Sequence, residues 1–79
     1  MMDWKKELKT EQSKKIFEIL MDKGADLETV INILRFVIPE ESKQDKLLEI
    51  IKNDELMHPN GIIMEAIAID EQENPEKYM

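Results

Sequence analysis

Glu55 and His58 stand three positions apart in the run Glu55-Leu56-Met57-His58. On a helix that spacing places a carboxylate and an imidazole on one face, the half-set that four-helix di-iron sites use in pairs. The chain holds a single histidine, so it cannot supply a second pair. Pro59 follows at once, which argues against a helix continuing through the motif. These residues therefore read as an exposed loop, and no metal is expected. Nucleophilic chemistry has as little material. There is no cysteine, Ser13 and Ser42 lie in charged helical stretches, and His58 would be the one imidazole base for either. Gly24 and Gly61 are the only glycines, too few and too far apart to build a phosphate-cradling loop. The chain is expected to be no enzyme and to take no cofactor.

Charge narrows the partners. Eighteen acids against eleven bases give a net charge of −7. Residues 1–23 carry six lysines and five acids, whereas residues 24–79 carry five bases and thirteen acids. An acidic body repels phosphate and anionic lipid, so neither nucleic acid nor a membrane surface is an expected partner. No apolar run approaches the ~20 residues of a membrane span. The opening MMDWKKELKTEQ lacks the apolar centre of a signal peptide, so a cytoplasmic location is expected. Seventy-nine residues make one domain, 1–79, whose thin core rests on helix packing or on pairing with another chain.

Helical periodicity supplies the elements. Ile16 and Leu20, with Phe17, Ile19 and Met21 beside them, predict a helix over 11–23. Asp3 can cap a further turn near Trp4, although residues 1–9 are expected to fray. Gly24 sits where a helix stops in the left-handed conformation, and Asp26 is the next cap. Leu27, Val30, Ile31, Leu34, Val37 and Ile38 form one broad stripe, with Ile33 and Phe36 outside it. A helix over 26–38 that is apolar on most sides belongs at the centre of the fold. Pro39 ends it and suits the start of a third helix, 40–53, whose apolar face is Leu47, Leu48, Ile50 and Ile51. Pro59 and Asn60-Gly61 read as breakers within a connection. IIMEAIAI, residues 62–69, lacks any strand partner and is assigned to a fourth helix, 61–72. The polar tail 73–79 is expected to fray. The expected fold is all-α, a small bundle of four helices.

The corner from Met21 to Leu34 resembles two families. In a helix-turn-helix DNA reader the second helix meets the bases. Its exposed residues here would be Asp26, Glu28, Thr29, Asn32 and Arg35, two carboxylates against one guanidinium. A third-helix reader would set Lys43, Gln44 and Lys46 among Glu40, Glu41, Asp45 and Glu49. A DNA-binding regulator is therefore the alternative and not the favoured reading. Leu20, Met21 and Gly24 also resemble the LMxxGF step of ubiquitin-associated domains, but Ala25 stands where that family has a large apolar residue.

What remains is apolar surface. Trp4 stands in a polar segment, and IIMEAIAI is apolar nearly all round. Trp4, Ile62, Ile63, Met64 and Ile67 are accordingly the candidate partner-binding residues, toward another protein or a second copy of the chain. Met64 is flexible and polarizable enough for an adaptable contact. Finally, GADLETVINILRFVIPEESKQDKLLEIIKND resembles small helical proteins of low-GC Gram-positive bacteria, some of which accompany conjugative transposons. The shared pattern is a glycine-capped helix, an Ile/Leu-rich helix and an EE-x-x-x-x-x-LLEII helix. That resemblance implies an accessory protein of a mobile element and supplies no site residue.

Overall fold

Thr10 opens the first helix through a reciprocal cap. Its hydroxyl accepts from the Ser13 N–H at 3.0 Å, and the Thr10 N–H donates to Ser13 Oγ at 3.1 Å. The same hydroxyl donates to Gln44 Oε1 at 2.7 Å, tying this end to the third helix. The structure is a computed structural model, and residues 8–78 are described. The described residues contain four helices: α1 (Glu11–Asp22), α2 (Leu27–Asn32, running on as a π-helical turn over Ile33–Val37), α3 (Glu41–Asn53) and α4 (Pro59–Glu73). A 3₁₀ turn, Pro75–Tyr78, closes the described chain. Among the described residues there is no strand, and the fold is an all-α bundle. Trp4 and the turn expected near it lie outside the described residues. Leu8, in a stretch expected to fray, packs against the core.

The α1–α2 corner is a Schellman turn. The Ala25 N–H reaches the Leu20 carbonyl and the Gly24 N–H reaches that of Met21, both at 3.0 Å. Gly24 takes φ +89°, a backbone region closed to most residues with a Cβ. Asp26 Oδ2 then accepts from the Thr29 N–H at 3.2 Å, capping α2. Together α2 and its π-turn form the central element. Val30, Ile31, Ile33, Leu34 and Ile38 are five of the twelve buried apolar residues among those described. Ile33, outside the sequence stripe, is buried because the helix widens there. The Ile38 N–H bonds to the Ile33 carbonyl at 2.9 Å, five residues back.

Three sequence expectations are corrected. The segment 33–37 is π-helical and not α-helical. Pro39 has no N–H to continue the ladder, and just past the π-turn Gln44 Nε2 donates to the carbonyls of Ile38 at 3.0 Å and of Pro39 itself at 3.4 Å. Pro39 precedes α3, with Glu40 as its N-cap residue. Second, α4 begins at Pro59 and not at residue 61. A proline in the first helical turn gives up an N–H that would have no partner there. Third, within the tail expected to fray, Pro75–Tyr78 forms a turn that folds back onto α4 through Asp70.

The core closes where α1, α3 and α4 lay their stripes on the central element. Ile16 and Leu20 come from α1, Leu47 and Ile51 from α3, and Ile62, Ala66 and Ile69 from α4. Among the described residues no helix is long and apolar enough to cross a membrane.

Candidate functional site

The residue types that could do chemistry are dispersed. Glu55 and His58 are both exposed, His58 as the residue before α4. Among the described residues no three His, Cys, Asp or Glu side chains gather as metal ligands. Ser13 is 1% exposed and engaged in the α1 cap. On the α2 corner, Asp26, Glu28, Asn32 and Arg35 are exposed and Thr29 is half-buried.

The face assigned to partner binding on α4 is split. Ile62 is fully buried, so it is a core residue and not a contact residue. It shares a stripe with Ala66 and Ile69, which a helix of period 3.6 turns inward together. Ile63 and Ile67 sit half-buried at the edge of that stripe, and Met64 points outward, 66% exposed.

A buried ionic centre escaped the sequence reading. Asp70, 1% exposed, receives four donors. Lys43 Nζ (2.7 Å) and Asn74 Nδ2 (3.1 Å) reach Oδ1. Lys77 Nζ (2.8 Å) and the Tyr78 hydroxyl (2.6 Å) reach Oδ2. Lys43, itself buried, also pairs with Glu40 at 3.1 Å. Lys77 Nζ donates in addition to the Phe36 carbonyl, one of those left open by the π-turn. Burial by itself would raise the Asp70 pKa, but the four donors, Lys43 foremost, outweigh it and hold the carboxyl well below the usual range. Burial would likewise lower Lys43, and the Asp70 and Glu40 carboxylates reverse that shift. Every lone-pair direction of the carboxylate is taken, so the centre joins α3, α4, the π-turn and the tail and leaves no position for substrate. A signal for it exists in the sequence. Asp70 continues the Ile62–Ala66–Ile69 stripe, and Lys43 lies one turn before Leu47 and two before Ile51.

Among the openings of the described residues, one lies between α1 and α3. It encloses about 420 Å³ and is lined by Lys15, Ile19, Lys23, Leu48, Ile51, Lys52 and Glu55. Ile51 forms the floor, and Ile19 and Leu48, both half-buried, form the walls. Three ammonium groups and one carboxylate stand around them. At one end Lys23 Nζ donates to the Glu55 carbonyl at 2.8 Å. At the other, Gln12 Nε2 donates to Glu41 Oε1 at 2.9 Å. These two bridges join like ends of α1 and α3, so the helices run parallel. In the sequence Leu48 belongs to the apolar face of the third helix, and only the packing of α1 on α3 brings it together with the three lysines.

No family model, no curated protein and no solved structure matches the chain.

Proposed function

We propose that this protein is a non-enzymatic interaction or regulatory module that acts through protein contacts. The groove between α1 and α3 carries the reading. It is apolar on the inside and charged at the rim, the arrangement of a site that takes a protein segment rather than a reactive small molecule. Met64 and half-buried Ile63 and Ile67 on α4 offer a second apolar surface, to a partner or to a second copy. The cytoplasm is the compartment proposed, and the resemblance of residues 24–54 sets the protein beside a mobile element as an accessory.

Light scattering and affinity capture test this together. The expected result is a stable complex with a host or element-encoded protein, or a dimer, that weakens when Leu48 is replaced by Ser. A strict monomer that retains no protein would overturn it. So would affinity for duplex DNA that falls steeply as salt rises, because counterion release requires phosphate contacts.

A further inference from the structure

We infer that the α1–α3 groove is a receptor for an acidic amphipathic helix from another protein. The inference rests on the interaction reading above and adds the chemistry of the partner. Its basis is the contrast between the rim and the rest of the molecule. The chain carries −7 overall, yet Lys15, Lys23 and Lys52 surround the groove with Glu55 as the one acid in its lining. Removing those four residues would leave the remainder at −9. Positive charge is thus gathered where apolar side chains are open to solvent. Among the described residues, neither Lys15 nor Lys52 has a carboxylate within ion-pair reach, unlike Lys14, Lys43, Lys46 and Lys77.

Shape selects a helix. Lys15, Ile19 and Lys23 recur every four residues along α1, and Leu48 and Lys52 do so along α3. Two parallel helices with such rows leave a channel about 12 Å long, two turns of a third helix. One row of leucine-like side chains would fill the space over Ile51, and carboxylates on either flank would meet the lysines.

The test uses the full chain and three synthetic peptides of about 14 residues, each with leucines at i, i+4 and i+7. They differ only in flanking residues, which are Glu, Gln or Lys. Binding is read by amide chemical-shift mapping and by fluorescence anisotropy. The expected affinity order is Glu, then Gln, then Lys, with about tenfold between the first two at about 50 mM salt. The order should compress at about 500 mM salt, with shifts centred on Ile19, Leu48 and Lys52. In the triple variant Lys15→Glu, Lys23→Glu, Lys52→Glu, the order should reverse while far-UV circular dichroism stays unchanged. Leu48→Ser should weaken all three peptides alike. An order that the triple variant leaves intact, or shifts confined to α4, would overturn the inference. So would groove shifts that grow with protein concentration alone, since the occupant would then be a second copy. Adsorption to phosphatidylglycerol vesicles that the triple variant abolishes would replace the helix with a lipid surface. Complex formation in the capture experiment, with no peptide entering the groove, would leave the interaction reading standing and remove this one.

Discussion

Lys43 and Lys52 lie on the same helix and meet opposite fates. Lys43 faces α4, is 5% exposed and is bound to Asp70 and Glu40. Lys52 faces the α1 groove, is exposed and has no carboxylate partner among the described residues. On one side of α3 the fold has taken a charge out of water and surrounded its counter-ion completely. On the other it has left charges wet, beside apolar side chains that are only half covered. The difference separates what a charge does for stability from what it does for recognition. A desolvated ammonium without a partner is costly, so its partners must be built into the same chain. A hydrated one costs nothing to leave open, and its partner can come from elsewhere.

The sharpest break in that comparison is at Asp70. Asp70→Ala leaves Lys43 inside the α3–α4 seam with the exposed Glu40 as its one remaining counter-charge and removes the carboxylate that holds Lys77 and Tyr78 of the tail. We expect a loss of about 3 kcal/mol, which lowers the midpoint of thermal unfolding by on the order of 15 °C in a domain of this size. The double variant Lys43→Met, Asp70→Leu should recover most of it, because the seam then closes as an apolar contact without a lone charge. Urea unfolding of the two single variants and the double variant measures the coupling. Additive losses would mean that the two side chains do not depend on each other and that the centre is not a unit.

The all-α bundle, the central segment 26–38 and the glycine corner are legible in the sequence, because each rests on local rules: helical stripes, a glycine stop, an aspartate cap. What depends on which stripe faces which is not. Asp70 and Lys43 both lie in register with buried residues, but nothing in a linear pattern says that they meet. The same limit hid the groove, whose residues come from two helices separated by a third. IIMEAIAI is apolar on both sides, so its sequence leaves Ile62 open to a surface role, and only the position of α3 and the π-turn decides which side is interior. A helix-starting proline and a helix-ending one look alike in sequence, so Pro59 reads as a breaker until the residues that follow decide. The π-turn has no local signature, and the carbonyls in and just after it are met by side chains from elsewhere, Phe36 by Lys77 and Ile38 by Gln44.

The same centre should give stability a dependence on pH at both ends. The Asp70 carboxyl ionises more readily folded than unfolded. Its contribution is complete above the unfolded value near ~4 and is lost as pH falls from there toward the lower folded value. The Tyr78 hydroxyl moves the other way. Burial and its bond to Asp70 push it up to about 12, so the folded state holds that proton more tightly. This contribution is complete below the unfolded value of ~10 and disappears as pH rises through the folded one. Tyr78 is the only tyrosine, so its phenolate absorbance reports without interference. The midpoint should lie near about 12 and fall back toward ~10 in Asp70→Asn, where the charge is gone. Tyr78→Phe should cost only about 1 kcal/mol, because the hydroxyl is one of four donors and the ring is partly open to water. A native midpoint near ~10 would place the tail off the carboxylate and reduce the centre to Lys43 and Asp70.

The smallest expected effect is the one that separates the two sides of α3 most cleanly. Lys52→Gln and Lys15→Gln each remove a positive charge from an acidic chain, which slightly increases self-repulsion. Neither breaks a bond that the described structure contains. We expect each to shift unfolding free energy by no more than about 0.5 kcal/mol, and salt to erase even that shift. Lys43→Gln, by contrast, should destabilise by more than about 2 kcal/mol, little of it recovered by salt, because its partner is shielded from mobile ions. Urea titrations of the three variants at low and high salt make the comparison within one helix. A loss above about 1 kcal/mol at Lys52 would show a lysine already committed to the fold. A rim that spends its charge on stability has none free for a partner, so the receptor assignment would fall with it.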